Sequence, residues 1–191
     1  MRNFPNFLSS SYSFCLLALA SFALSAGAQT TAPNEWTWVS GNDTIGPYCL
    51  ETLPPEIPTC GQSGVYGALG IPAAGNNPGS RDSAVSWTDT AGHLWLFGGE
   101  GFDSAGTYDL LNDLWEFDPS KDEWAWMGGP STVPSCGIGL CVEPGVYGTL
   151  GTPSPANIPG NRVNASGWTD ATGNLWLFGG ASMFTVFNDL W

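Results

Sequence analysis

Short apolar runs alternate with turn residues through most of the chain. Residues 84–87 and 94–97 are aromatic-rich runs joined by Asp89-Thr90-Ala91-Gly92. Asp at the first turn position and Gly at the fourth is turn chemistry, and the Gly is free to take a positive φ. The pair predicts an antiparallel hairpin. Leu114-Trp115-Glu116-Phe117 predicts a third strand, closed by Asp118-Pro119-Ser120-Lys121. Trp124 and Trp126, two residues apart, share one face of a fourth. Glu35-Trp36-Thr37-Trp38 resembles Glu123-Trp124-Ala125-Trp126 and predicts a lone outer strand over 35–40.

The pattern is duplicated. Residues 80–99, from Ser80-Arg81 to Gly98-Gly99, recur 81 positions later from Asn161-Arg162 to Gly179-Gly180. Val65-Tyr66-Gly67 recurs at the same offset as Val146-Tyr147-Gly148, and Asn112-Asp113-Leu114-Trp115 recurs 76 on as Asn188-Asp189-Leu190-Trp191. A fixed core with loops of changing length is the signature of a repeat architecture. Four short antiparallel strands per unit is the content of one propeller blade.

These residues resemble the kelch repeat family. The carriers are Arg81, Gly98-Gly99 after an apolar strand, Asp113 with Trp115, and Trp124 after a turn; the second copy has Arg162, Gly179-Gly180, Asp189 and Trp191. The resemblance implies an all-β fold of kelch β-propeller blades. The unit also looks like those of secreted bacterial kelch proteins grouped with the galactose oxidase central domain. Residues 80–129 read as a complete blade and 161–191 as a truncated one. Propellers close with about four to eight blades. The chain is therefore expected to be part of a longer propeller, the alternative being assembly with copies of itself. Open sheet edges and exposed Trp faces are the expected consequence.

Composition agrees with a turn-rich β protein. Of 191 residues 26 are Gly and 15 Pro, charged residues reach only 11%, and 10 are Trp. Disordered chains lack such an aromatic load. Residues 1–28 read as a signal peptide: Arg2, an apolar run over 14–24, then Ala26-Gly27-Ala28 before cleavage at Gln29. The run is too short to span a bilayer. The mature chain keeps three cations against 17 acids, a net charge of −14. That charge repels phosphates, which argues against nucleic acid and anionic membranes as partners. A secreted, periplasmic or cell-surface location follows.

Between the repeated cores lie two long inserts, within 29–79 (after the N-terminal strand) and 130–160. Cys60 and Cys141 are 81 apart, each five residues before a Val-Tyr-Gly motif, with Cys49 and Cys136 preceding them in the same inserts. The expected pairs are Cys49–Cys60 and Cys136–Cys141, each stapling one loop in an oxidising compartment; cross-repeat bridges are the lesser alternative. Tyr66 and Tyr147 are expected to pack back onto the blades, which leaves ligand stacking as the rival role. Asn42-Asp43-Thr44 and Asn164-Ala165-Ser166 match glycosylation acceptors.

Candidate chemistry is sparse. His93 is the single His, and the other copy has Asn174 in its place, so it reads as a turn-flanking residue. A copper centre draws on imidazole and phenolate ligands that this chain does not supply as a set. Glu100, Asp103 and Asp109 are expected in a solvated acidic loop after Gly98-Gly99, without calcium-loop spacing. No catalytic, cofactor or metal residues are assigned. Two functional expectations remain. One is a secreted binding or scaffold module with a protein or carbohydrate ligand. The other is the front part of a galactose-oxidase-like or other propeller enzyme whose active site lies beyond residue 191.

Overall fold

Turn chemistry sets the first hairpin as the sequence requires. In the computed structural model, which describes residues 36–44, 48–50, 59–134 and 140–191, the Gly92 N–H donates to the Asp89 carbonyl at 3.1 Å. Asp89 Oδ1 accepts from the N–H groups of Ala91 and His93, and Gly92 sits at φ 89°. The second copy repeats this around Asp170 and Gly173. The expected signal segment over residues 1–28 and Cys136 lie outside the described residues.

Eleven strands and no helix occur among the described residues. They are β1 (Tyr48–Leu50), β2 (Thr59–Gly61), β3 (Arg81–Asp82), β4 (Val85–Thr88), β5 (Leu94–Phe102), β6 (Tyr108–Asp118) and β7 (Glu123–Gly128). The second unit contributes β8 (Ser166–Thr169), β9 (Leu175–Phe178), β10 (Ala181–Ser182) and β11 (Thr185–Val186). The first unit is one antiparallel sheet in the order β3-β5-β6-β7, with β4 beside the other half of β5. In the second unit β8 pairs β9 and β10 pairs β11. Its third strand begins where Leu177 and Trp191 exchange backbone hydrogen bonds at 2.9 Å.

Three expectations need correction. Gly98-Gly99 does not end a strand: the register shifts between Phe97 and Gly99, and β5 runs on to Phe102 against a β6 that starts at Tyr108. Gly98 faces two residues of β6, Asn112 and Asp113, so the pair sits opposite a bulge in β6, which bends the sheet while the ladder resumes beyond it. Second, residues 36–44 form no strand; a strand needs a neighbour to take its N–H and C=O groups, and among the described residues none pairs with it. Third, the outer edge of the first unit's sheet is not open. Val65 bridges Asn77, the Gly70 and Ala73 N–H groups donate to the Trp126 and Trp124 carbonyls at 2.7 and 3.3 Å, and Asn76 Nδ2 also reaches the Trp124 carbonyl. The insert thereby covers the outer edge of β7.

The core lies between the two units. Val85, Trp87 and Phe97 of the first bury against Leu177 of the second, flanked by Trp95, Leu114, Leu175 and Trp191. The Trp87 indole N–H donates to the Trp176 carbonyl at 2.8 Å. Gly167 stands where the first copy has Ser86, because a Cβ there would lie 2.6 Å from both Trp87 Nε1 and Val85 Cγ2.

Candidate functional site

The repeat-defining residues converge on one buried carboxylate. The Arg81 guanidinium makes two hydrogen bonds to Asp113, at 2.7 and 2.9 Å, and a third to the Gly98 carbonyl. Asp113 Oδ2 also accepts from the Tyr66 hydroxyl at 2.6 Å and the Trp115 indole at 2.7 Å. Tyr66, Trp115, Trp124 and Trp126 pack ring against ring around it. Burial alone would raise the Asp113 carboxyl; the bonds from Arg81, Tyr66 and Trp115 outweigh it and hold the pKa below the usual carboxylate range. Burial and the neighbouring carboxylate push the Tyr66 phenol well above its ordinary value.

The second unit rebuilds this set around Asp189. Arg162 bonds it at 2.7 and 2.8 Å and reaches the Gly179 carbonyl, while Tyr147 and Trp191 donate to Oδ2. Here too the arginine outweighs burial and lowers the carboxyl pKa. Tyr66 is 5% exposed and Tyr147 52% exposed. The expected packing back onto the sheet thus holds fully for the first ring, and for the second chiefly through its hydroxyl and its contact with Trp191.

The glycines serve this framework. Gly98 and Gly99 lie at φ 65° and 93°, and a Cβ on Gly98 would come 2.8 Å from the Arg162 carbonyl of the next unit. Gly179 and Gly180 adopt the same conformation, at 67° and 90°.

One grouping was not legible from sequence. Asp89, His93 and Glu116 bring one potential metal-binding atom each within 4.8 Å of one another. The β5–β6 register, with Trp95 opposite Glu116, carries Glu116 to His93. Each group is already engaged. His93 Nδ1 lies 2.5 Å from Glu116 Oε1, and Asp89 holds the hairpin turn and accepts from the Trp95 indole. In the second unit Asn174 replaces His93 and donates to Asp170, so the trio is not a property of the repeat.

The acids expected in a solvated loop are redistributed by the longer β5 and β6. Glu100 lies on β5 and Asp109 on β6, and only residues 103–107 form the turn. Asp103 is buried, accepting from the N–H groups of Ala105, Thr107 and Val133. Asp109 is buried and accepts from the Cys141 N–H. Burial raises the Glu100 and Asp109 carboxyls and, with Glu100 alongside, pushes the Tyr108 phenol up to about 12. Among the cysteines, Cys49 stands directly opposite Cys60 in the β1–β2 ladder. The Asn42 and Asn164 sequons are exposed.

A cleft of about 610 Å³ opens between the units. Trp87, Trp126, Leu177 and Trp191 contribute its apolar wall, and Asn112 and Pro155 border it. Asn112 is 6% exposed, and its Oδ1 is the one buried side-chain polar atom without a partner among the described residues. No protein-family model matches the chain, and no curated protein is similar enough to count as a relative.

Proposed function

We propose that the chain is an exported kelch-type β-propeller segment acting as a binding or scaffold module. Its units present a ligand surface built on paired sheets. The duplicated Arg–Asp–Tyr–Trp constellation supports the blade reading. Its charged members, Arg81, Asp113, Arg162 and Asp189, are all engaged in holding sheets and inserts together.

The single observation that carries the binding reading is the unpartnered Asn112 oxygen at an aromatic cleft. A buried acceptor without a donor costs about 1–3 kcal/mol, and a rotation of the Asn112 side chain toward the cleft would let a ligand hydroxyl or amide N–H satisfy it. Indole faces suit a carbohydrate or peptide, and the −14 charge of the mature chain disfavours anionic ligands. Screening the mature chain against neutral glycans and peptides tests this. The expected outcome is a hit weakened by Asn112→Ala and by Trp126→Ala; a hit indifferent to both, or none, removes the reading.

Export and the two staples belong to the same proposal. Directly opposed antiparallel residues have Cα atoms about 4.5–5.5 Å apart, within the roughly 4.4–6.8 Å that a disulfide spans. The Cys49–Cys60 register therefore supports the first pair. Non-reducing peptide mapping that links Cys49 to Cys136 would replace both pairs with cross-repeat bridges.

A further inference from the structure

The chain's single histidine stands among carboxylates where β4 ends, β5 begins and β6 ends. His93 Nδ1 lies 2.5 Å from Glu116 Oε1 and 3.7 Å from Asp89 Oδ2, and its Nε2 lies 4.0 Å from Asp118 Oδ1. All four side chains are largely buried. With Glu123 and Lys121, three of them border a cavity of about 80 Å³. Four carboxylates thus face one ammonium, an excess of three negative charges, and Lys121 is already bonded to Asp118 at 2.6 Å. Like charges gathered at partly buried positions repel, and a divalent cation offsets them.

We propose that His93 Nδ1, Asp89 Oδ2 and Glu116 Oε1 bind a divalent transition-metal ion of the zinc type. The imidazole separates this set from an ordinary acidic patch: mixed nitrogen and oxygen donors suit zinc or copper(II), whereas calcium takes oxygen alone. The atoms around the three ligands are those an outer shell requires. A ligating His donates its other ring N–H to a carboxylate or similar acceptor, and Asp118 is the group that faces Nε2. Ligating carboxylates are themselves held by donors. Asp89 Oδ2 accepts from the Trp95 indole at 3.0 Å, and its Oδ1 from the Ala91 and His93 N–H groups. Binding replaces the His93–Glu116 hydrogen bond by two metal bonds, with the ring's one remaining proton on Nε2. Ligands in a tetrahedral zinc set stand about 3.3 Å apart, so Oε1 draws back from Nδ1 by less than about 1 Å.

The second unit shows the same turn without the site. Asn174 stands in the place of His93, and its amide donates to Asp170 Oδ2, which also accepts from the Trp176 indole. That oxygen corresponds to Asp89 Oδ2, whose second lone pair the first unit leaves for the ion. Three protein ligands leave a position for water, and a water occupies about 30 Å³ of liquid, so the cavity has room for one. None of these residues borders the aromatic cleft, and the inference does not depend on the ligand reading.

The test titrates the tag-free chain, stripped with EDTA, with zinc ion alone, followed by calorimetry and by NMR. Because the chain has one His, its imidazole proton signals report on His93 directly. The expected result is one zinc per chain, with the ring signals shifting in step with binding. His93→Asn installs the residue that the second unit carries at the same turn, and should weaken binding by about 100-fold or more. Asp118→Asn should weaken it by about 10–100-fold, the usual cost of losing an outer-shell partner. Unfolding midpoints in the absence of metal check that both variants fold, and the ring signals decide the matter without either. A chain that takes up no zinc at millimolar concentration overturns the inference, as does zinc that binds without moving the ring signals. Binding that His93→Asn leaves intact, or that calcium matches, marks an acidic surface only and overturns it too.

Discussion

Gly99 and Arg162 meet across the boundary between the two units, the glycine N–H donating to the arginine carbonyl at 3.0 Å. The same arginine's side chain is the anchor of its own unit, bonded to Asp189 and Gly179. One residue thus fixes the inside of the second unit with its side chain and the spacing to the first with its backbone. Local strain at the glycine pair is thereby coupled to inter-unit packing.

Replacing Gly98 or Gly99 by Ala should therefore cost more than an ordinary strand glycine. Both have positive φ, and a Cβ on Gly99 would lie 2.5 Å from the Asp82 carbonyl. We expect a loss of about 2–4 kcal/mol, combining backbone strain with displacement of neighbouring backbone, read from urea unfolding. Gly92→Ala is the comparison, because it shares the positive φ but has open space around it. It should lose only about 1 kcal/mol.

Removing one member of the Arg81–Asp113 pair leaves a buried charge uncompensated. Arg81→Met or Asp113→Leu alone should destabilise by about 3–5 kcal/mol, whereas the double replacement should recover part of that loss. Arg81→Lys should not rescue, since it cannot supply the two-pronged contact. A double-mutant cycle in denaturant measures the coupling.

The two tyrosines should respond unequally to loss of their hydroxyls. Tyr66→Phe deprives a buried carboxylate of a donor and should cost about 1.5–3 kcal/mol. Tyr147→Phe, in the exposed copy, should cost less than about 1 kcal/mol. Equal losses in thermal unfolding would mean that the second constellation is as enclosed as the first.

Acid should weaken the fold through Asp113. Its folded pKa lies below the unfolded value of about 3.9. Its contribution is therefore complete above that value and is lost as pH falls through the folded pKa. Glu100 and Asp109 act in the opposite sense: their raised pKa values mean that protonation favours the folded state as pH falls through their range. Unfolding midpoints measured from pH 7 down to pH 2 should show a net loss at the acid end. Asp113→Asn, though less stable throughout, should have a shallower acid limb; an unchanged slope would place the sensitivity elsewhere.

What the sequence made legible was the short-range part. The Asp89 and Asp170 turns, the shared face of Trp124 and Trp126, and the fixed glycine pairs are all set within a few residues. The centre they build was only half visible. Arg81, Asp113 and Trp115 stood out through duplication, but their common carboxylate joins Tyr66 across 47 positions and Arg81 across 32. Those distances are closed by sheet pairing and the returning insert, which no local pattern encodes. The His93–Glu116 contact was hidden for the same reason, because it exists only in one register of β5 on β6. The glycine pair was misread as a strand end because glycine marks bulges and strand ends alike.

The first insert's bonds to Trp124 and Trp126 bear on how such a gene can change. Because the first unit carries the segment that shields its own outermost strand, duplicating that unit together with its insert does not leave ladder amides bare along that side. Copy number can then drift without creating a sticky margin, leaving the broad aromatic faces as the surfaces selection must watch.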